Sequence, residues 1–435
     1  MKSVALHNLG CKVNGYEMDV MQQMLQEKGY KIVPFDEPAD IYIVNTCTVT
    51  NIADRKSRQM LHRAKKLNPD AVVVAVGCYV QTDEAGVRKD AAIDLAIGNN
   101  RKKDLISILE NYLKQREYSI DIIDINHTDE YEEMCLKKTA EHTRAYIKIQ
   151  DGCNQFCSYC IIPYARGRVR SRKEEDILRE VEGIVAAGYQ EIVLTGIHIS
   201  SYGLDRGNPE LLQLLGKLQE IAGLKRIRLG SLEPRIVTEE FARQISGMPK
   251  ICPHFHLSLQ SGCDSVLKRM NRRYDSGEYF HTTELLRKYY DNPAITTDVI
   301  VGFPQETEEE FKVTEAFVQK INFYEMHIFK YSKRQGTNAA VMEGQITEAE
   351  KGRRSAILIE VGKRMSHAYR AGYIGKEAEV LFEDRHEIEG HTYWVGHTPQ
   401  YVKVARAADS AENLNNRIVT GTVTGFLDDE ILLME

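Results

Sequence analysis

Three cysteines in the middle of the sequence carry its strongest chemical signal. Cys153, Cys157 and Cys160 form a C-x3-C-x2-C motif within IKIQDGCNQFCSYCIIP, directly after a predicted strand. Thiolates are soft ligands that bind iron–sulfur clusters or zinc. Three thiolates on one loop can hold three irons of a [4Fe–4S] cluster and leave the fourth iron open. A structural zinc site is the alternative, with Cys135 or His142 as its fourth ligand.

A second set of cysteines is scattered in sequence but shares one structural position. Cys11, Cys47 and Cys78 each follow a predicted strand, in VALHNLGC, IYIVNTC and VVVAVGC. Because parallel strands present their carboxyl ends at one edge of a sheet, we expect these thiols to converge. Cysteine is also common as a small buried residue, yet three in equivalent positions favour a second cluster. We call the two sets the N-terminal trio and the central trio, and expect the other three cysteines to be structural.

The elements that position the two trios predict an α/β protein of three domains. Residues 1–135 alternate buried β-branched strands with amphipathic helices, which indicates a flavodoxin-like parallel sheet. Residues 140–370 contain six βα units, too few for a closed eight-fold barrel, so an open partial (β/α)6 barrel is expected. Residues 371–435 contain five short strands separated by glycines and polar turns, typical of a small OB-like β-barrel.

The cysteine-bearing segments together resemble the methylthiotransferase family of radical S-adenosylmethionine (SAM) enzymes. The resemblance rests on LGCKVNGYE, VNTCTVTNIADRKSR, VGCYVQ and CNQFCSYCIIPYARGRVRSR, and it covers essentially the whole chain. It implies an N-terminal cluster domain, a radical SAM domain and a C-terminal TRAM domain. It also implies SAM and two [4Fe–4S] clusters as cofactors, one cluster on each trio.

Within that family, LGCKVNGYE and TCTVTNIADRKSR most resemble the MtaB branch. The resemblance implies methylthiolation of carbon 2 of N6-threonylcarbamoyladenosine at position 37 of tRNA, 3′ of the anticodon. Sister branches modify N6-isopentenyladenosine in tRNA or an aspartate of a ribosomal protein, and both remain alternatives. A zinc-stabilised RNA-binding protein without enzymatic activity is a further alternative.

The family chemistry implies a division of labour between the trios. Aromatic C–H bonds are unreactive, so a cofactor has to carry the difficult step. The central cluster is expected to generate a radical from SAM, and the N-terminal cluster to present the sulfur. Both must face one cavity, which requires the N-terminal sheet to dock over the barrel mouth. The implied partners are the tRNA anticodon stem-loop, an unidentified electron donor and an unidentified sulfur source.

Small and polar residues follow the predicted barrel strands, where barrel enzymes build their sites. Glycine allows a close approach of the backbone to a ligand, and carboxyl or amide groups can bind the ribose or amino group of SAM. Ordinary loop structure is the alternative for each position. The candidate cofactor contacts are Gly196, Glu233, Gln260 and Gly302.

Two basic segments are candidates for substrate contacts. Arg166, Arg168 and Arg170 follow the central trio, and arginine suits phosphate or the carboxylate of a threonylcarbamoyl group. A solvated charged loop is the alternative. In the C-terminal barrel, basic residues alternate with aromatic ones, a pattern that suits RNA, although Trp394 could instead be core. That second segment comprises Lys403, Arg406, Arg417, Tyr393, Trp394 and Tyr401.

Composition limits the remaining choices. The chain has 435 residues, a net charge of −6 and nine cysteines. An RNA partner therefore requires a local basic patch, and an odd cysteine count disfavours a disulfide framework. No apolar run approaches the roughly 20 residues of a membrane helix, and the N-terminus lacks the apolar core of a signal peptide. We expect a cytoplasmic protein with no membrane partner.

Overall fold

The amino-terminal part of the chain is a parallel sheet flanked by helices. The computed structural model describes residues 2–115, 117–137, 143–409 and 412–435. Six strands pair in the order β2-β1-β3-β4-β5-β6, all parallel. The elements are β1 (Ser3–Asn8), α1 (Lys12–Glu27), β2 (Lys31–Val33), β3 (Ile41–Thr46), α2 (Asn51–Leu67), β4 (Val72–Gly77), α3 (Cys78–Thr82), α4 (Glu84–Lys89), β5 (Leu95–Ile97), α5 (Leu105–Gln115) and β6 (Ser119–Asp121).

This order confirms the flavodoxin-like prediction, because the first five strands follow the 2-1-3-4-5 order of that fold. The central strands β3 and β4 are buried along their whole length, which explains their continuous apolar sequences. The sequence did not predict β2 or β6. Each spans three residues at a margin of the sheet, too short for a periodic signal.

Six parallel strands of the central region follow one another around an open barrel, as predicted. Strands β10, β9 and β7 pair in one sheet and β11, β12 and β13 in another. Parallel bridges such as Leu232 to Leu257 join the two sheets, and β8 adds an antiparallel edge to β7. Within the described ranges β7 and β13 do not pair, so the barrel stays open. The elements are β7 (Arg144–Asp151), α6 (Ile162–Arg166), β8 (Arg170–Ser171), α7 (Glu174–Ala186), β9 (Glu191–Gly196), α8 (Leu211–Gln219), β10 (Arg226–Leu229), α9 (Glu239–Ser246), β11 (His254–His256), α10 (Asp264–Arg269), α11 (Ser276–Tyr289), β12 (Ala294–Val301), α12 (Glu308–Ile321), β13 (Glu325–Lys330), α13 (Asn338–Val341) and α14 (Glu348–Ala371).

Alternate residues of the barrel strands face opposite sides. Ile147 of β7, Ile227 of β10 and Val299 of β12 belong to the apolar core that the helices cover. Their neighbours in sequence face the inside of the barrel and are largely polar. Helix α1 of the N-terminal sheet lies against β7 and β9, with Gly15 packed beside Tyr146. One continuous core therefore includes residues of both regions.

The carboxyl-terminal strands form a closed five-stranded barrel in the order β14-β15-β16-β18-β17, as the sequence predicted. Tyr401, between β15 and β16, lies over the guanidinium groups of Arg144 and Arg228 at 4.8 and 4.6 Å. The small barrel thereby covers the amino-terminal end of the large one. Across the described ranges, none of the helices combines the length and apolarity that crossing a bilayer requires. The elements are β14 (Glu377–Ile388), β15 (His391–His397), β16 (Lys403–Ala407), β17 (Arg417–Phe426) and β18 (Leu432–Met434).

Candidate functional site

The three thiols of the N-terminal trio lie together at one edge of the parallel sheet. Cys11 precedes α1, Cys47 follows β3 and Cys78 begins α3, so the trio spans the carboxyl ends of three adjacent strands. Burial raises the pKa of Cys47 to about 12, and the neighbouring Cys78 and Cys11 thiols add to the effect. Gly10 has a φ of +109°, and a Cβ there would lie 3.0 Å from the Cys47 sulfur. The chain can reach Cys11 along this path only with a glycine.

The central trio occupies the loop between β7 and α6. Burial raises the pKa of Cys153 to about 11 and that of Cys160 to about 12. The neighbouring Cys157 thiol raises both pKa values further. The Cys160 amide donates to the Cys157 carbonyl at 2.9 Å, which keeps the loop tight. Because iron binds thiolates, clusters on both trios would have to displace these protons.

Each trio has its own arginine, whose guanidinium donates a hydrogen bond to one of the cysteine sulfurs. Arg166 Nε lies 3.2 Å from Cys78 Sγ, and Arg272 Nη1 lies 3.3 Å from Cys157 Sγ. No carboxylate of the described residues lies within ion-pair distance of Arg272. An iron–sulfur cluster with three thiolate ligands is anionic, so a cation beside each trio fits such a group. The donor sets and their charge thus suit a cluster at both positions.

A buried ion network connects the N-terminal trio to the barrel. Glu17 of α1 pairs with Lys102 at 2.6 Å, with Lys148 at 2.8 Å and with Arg166. Asp151 pairs with Lys148 at 2.6 Å and with Arg166 at 3.1 Å. Burial alone would raise the pKa of Glu17, but the charges of Arg166, Lys102 and Lys148 hold it well below its ordinary value. Arg166 is the member of this network that faces Cys78.

A second contact holds the N-terminal sheet against the end of the last barrel strand. Buried Arg334, which follows β13, donates to Asn51, Asp54 and Thr48 at 2.6 Å each. The Asn51 side chain donates in return to the carbonyl of Lys333 at 3.0 Å. These residues follow Cys47. The edge that carries the N-terminal trio therefore contacts the loops after β7 and β13, on the side of the barrel that carries the central trio.

The four candidate cofactor contacts differ in their surroundings. Gln260 is nearly buried with a φ of +69°, and its backbone bridges to Asp298 and Ile300 at 2.8 and 2.9 Å. Burial raises the pKa of Glu233, and the Arg272 charge opposes this effect, so the two face one region. For the two glycines, packing alone explains the residue type. Gly196 adjoins the Gln150 carbonyl, and Gly302 adjoins the Lys351 side chain.

Two residues of this region escaped the sequence analysis. Arg272 reaches the central trio from the segment after α10, and Tyr274 beside it donates to the carbonyl of Leu259 at 2.9 Å. His198 has a buried Nε2 with no partner among the described residues, while its Nδ1 lies 2.7 Å from Ser201 Oγ. Burial and the Arg272 charge lower the pKa of His198 to about 4. Its Nε2 is thus available to bind a ligand or an ordered water.

The three arginines after the central trio do not form one exposed surface. Arg166 and Arg170 are buried, and Arg170 donates to the carbonyls of Arg168 and Arg166 at 3.0 and 2.9 Å. The interpretation of these two side chains as substrate contacts therefore requires correction, because internal partners occupy them. Only Arg168 is exposed, and its guanidinium lies 4.5 Å from the ring of Phe156.

Two aromatic residues of the basic segment in the C-terminal barrel have partners within the protein. Trp394 is 5% exposed, belongs to the core of that barrel, and donates to the Glu412 carbonyl at 3.3 Å. Tyr401 lies over two barrel arginines. The core position that the sequence left open for Trp394 is thus the observed one, and the Tyr401 ring is occupied by arginines of the large barrel. Lys403 and Arg417 remain exposed.

The zinc alternative gains no fourth ligand from Cys135. That exposed cysteine lies near α7, where Glu180 and Arg172 act on its thiol, and the central trio is not among its neighbours. His142 lies outside the described residues. Cys252 and Cys263 are buried.

Fold and site together define a class. Residues 147–318 match the radical SAM superfamily, and residues 3–98 match a family described as uncharacterized protein family UPF0004. The fold is similar to that of TsrM, a radical SAM methyltransferase from Kitasatospora setae, with a TM-score of 0.58 and 15% identity over 78% of this chain and 74% of that one. The central barrel is thus a radical SAM barrel.

Relatives narrow the class. The threonylcarbamoyladenosine tRNA methylthiotransferase MtaB of Bacillus subtilis is 41% identical over 93% of this chain and 90% of that protein. A tRNA-2-methylthio-N(6)-dimethylallyladenosine synthase of Carboxydothermus hydrogenoformans is 35% identical over 89% of each. The chain therefore belongs to the MtaB family of radical SAM methylthiotransferases. The cofactors of this family are SAM and [4Fe–4S] clusters.

Proposed function

We propose that the protein adds a methylthio group to carbon 2 of N6-threonylcarbamoyladenosine at position 37 of tRNA, within the anticodon stem-loop. The observation that carries the proposal is the relationship to MtaB proteins, at 41% identity over nearly the whole chain. Relatives named for dimethylallyladenosine are 35% to 37% identical, below the 41% of the Bacillus subtilis protein. A tRNA substrate also implies that the enzyme works in the cytoplasm.

The six cysteines of the two trios are proposed as the ligands of two [4Fe–4S] clusters. When bound, the clusters and SAM supply the one-electron chemistry and the sulfur that side chains lack. Arg166 and Arg272 each donate a hydrogen bond to one cysteine sulfur and balance its negative charge. Arg334 and the Glu17 network hold the two carboxyl-terminal edges together, so that one substrate base can reach both trios.

The SAM contacts proposed from the structure are those beside Arg272. Glu233 can accept from the amino group of SAM, and Arg272 can donate to its carboxylate. His198 offers its buried Nε2 to the same ligand. Gln260 keeps its left-handed backbone next to this region, a conformation that is costly for a residue other than glycine and occurs often at ligand sites.

The division of the chain is proposed as residues 1–135 for the N-terminal cluster domain, 140–370 for the radical SAM domain and 371–435 for a TRAM domain. Exposed basic residues are the proposed tRNA contacts, because arginine and lysine neutralise phosphates. They lie both beside the central trio and on the small barrel. These residues are Arg168, Lys403 and Arg417.

Nucleoside mass spectrometry of tRNA from a deletion strain tests the proposed substrate. We expect the methylthio form of N6-threonylcarbamoyladenosine to disappear and the unmodified form to accumulate, with recovery on complementation. Loss of the methylthio form of isopentenyladenosine, or an altered ribosomal-protein mass with unchanged nucleosides, would contradict the proposal in favour of a sister activity. A colourless, anaerobically purified protein with about one zinc per chain would favour an RNA-binding protein.

A further inference from the structure

Three polar side chains converge on the inner face of the barrel, and neither trio uses them. His256 of β11, Asp298 of β12 and His327 of β13 place their ligand-type atoms within 4.8 Å of one another. His256 Nε2 lies 3.4 Å from Asp298 Oδ2, and the two imidazole rings stack at 5.9 Å. None of the three is fully buried. We call them the lumen patch, because they alternate along their strands with Phe255, Val299 and Ile328, which face the helix-covered core.

Lys12 faces the same space from the N-terminal sheet. It directly follows Cys11, at the start of the helix that lies against β7 and β9. The Lys12 ammonium lies within electrostatic range of Arg228 of β10, Arg144 of β7 and Asp298 of β12. Its side chain is exposed, and no acceptor in the described part of the chain lies within hydrogen-bond or ion-pair distance of it. An ammonium with no partner among the described residues thus directly follows Cys11 in the chain and lies within electrostatic range of Asp298 of the lumen patch.

The charges around the patch select the kind of guest. Arg228 pairs with Glu191 at 2.9 Å and Arg144 pairs with Glu383 at 3.2 Å, whereas Lys12 has no such partner. Two histidines and a carboxylate are ligand types for a divalent metal ion, but the nearby ammonium and guanidinium charges disfavour a further cation. An apolar guest would cover the Lys12 ammonium without offering it a hydrogen-bond acceptor. The space favours a guest with both a carboxylate and hydrogen-bond donors.

We propose that Lys12 and Asp298 recognise the threonylcarbamoyl group of the substrate adenosine. Lys12 donates to its carboxylate, and Asp298 accepts from its hydroxyl or ureido N–H, while His256 orients Asp298. The inference rests on the proposed function and deepens it, because it assigns the selection of this substrate over isopentenyladenosine to named residues. A site built for polar groups rejects an analogue that leaves them unpaired.

The test compares two anticodon stem-loops on the reconstituted holoenzyme. One carries N6-threonylcarbamoyladenosine, and the other carries its carboxamide, which lacks the negative charge. Dissociation constants come from competition anisotropy and kcat/KM from thiolation assays. We expect the natural chain to prefer the acid by about 10- to 100-fold, the range for one charge-assisted hydrogen bond. Lys12→Met should bring this preference close to one, Lys12→Arg should retain part of it, and Lys28→Met, at the exposed end of the same helix, should keep it.

Asp298→Asn provides the second variant. It should weaken both stem-loops by about 10-fold and leave their ratio unchanged, since the hydroxyl and ureido groups occur in both. Iron content and SAM cleavage verify that each variant retains its clusters. The ratio of the values for the two stem-loops does not depend on the fraction of protein that carries clusters. An unchanged preference of Lys12→Met for the acid over the carboxamide would overturn the inference. Thiolation of the acid by the natural chain would at the same time uphold the proposed function. Failure of the natural chain to thiolate the acid would refute the proposed function itself.

Discussion

The two thiol trios present similar ligands by different structural means. The central trio lies on one loop beside one cation, Arg272, which has no carboxylate partner among the described residues. The N-terminal trio is gathered from the ends of three strands, and its cation, Arg166, belongs to a network of five buried charges that spans two regions. The first site is local, whereas the second depends on how the N-terminal sheet and the barrel pack. Substitutions near the two trios should therefore fail in different ways.

Removal of the central trio should have the largest effect. In Cys153→Ala/Cys157→Ala/Cys160→Ala, we expect SAM cleavage and thiolation to fall to background, because no other thiols lie on that loop. Iron should fall from about eight to about four per chain, as two cubanes become one. Product chromatography and iron analysis measure both. SAM cleavage at the natural rate would contradict the assignment of this trio.

Removal of the N-terminal trio should separate two activities. In Cys11→Ala/Cys47→Ala/Cys78→Ala, SAM cleavage should persist while thiolation is lost, with the same fall to about four irons. The central-trio variant is the matched control for this experiment. A variant that still forms methylthio-adenosine would refute the second cluster.

Disruption of the buried network should affect stability. Glu17→Gln leaves Arg166, Lys102 and Lys148 with one carboxylate, and loss of one partner from a buried pair costs about 3–5 kcal/mol. Denaturant unfolding of the natural chain and of Glu17→Gln measures this loss in the free energy of unfolding. Because the pKa of Glu17 in the folded chain lies well below its ordinary value, its contribution is complete above the unfolded pKa and is lost as the pH falls through the folded one. The difference in the free energy of unfolding between the natural chain and Glu17→Gln should thus become smaller in acid.

The matched control is Glu27→Gln on the same helix. Glu27 pairs with Lys137 at 2.7 Å on the exposed surface, so we expect no measurable change in its unfolding midpoint. Equal destabilisation by both substitutions would show that the buried network has no special role.

The smallest effect should be electronic. Arg166→Lys keeps a positive charge for Glu17 but removes the N–H that faces Cys78. Loss of one hydrogen bond of about 1 kcal/mol should lower the reduction potential of the N-terminal cluster by about 50 mV. A redox titration monitored by electron paramagnetic resonance measures it. Arg272→Lys should shift the other cluster instead, and a shift of the same cluster by both variants would contradict the pairing.

The comparison also explains what the sequence could predict. All six barrel strands were predicted because their buried apolar residues alternate with polar ones, and the spread of Cys11, Cys47 and Cys78 became interpretable once a parallel sheet was assumed. Arg272 could not be predicted, since only the folded chain brings it to Cys157. Arg166 was predicted to contact the substrate, because a run of arginines does not reveal that Glu17 lies opposite.

The small barrel gives the same lesson in a different form. Turn residues and alternation predicted its five strands, and the pattern of basic and aromatic residues predicted that Tyr401 contacts RNA. Its ring instead lies over Arg144 and Arg228 of the large barrel. A sequence pattern identifies a side chain that can stack on a cation or base, but only the packing of the barrels identifies the partner.

The central claim is that both trios hold clusters that open into one chamber. Anomalous diffraction at the iron edge, from anaerobically grown crystals of the reconstituted enzyme, tests it most directly. We predict two iron peaks, one beside Cys47 and one beside Cys157, on either side of a continuous cavity. A single peak, or a second peak on the outer surface of the protein, would contradict the account.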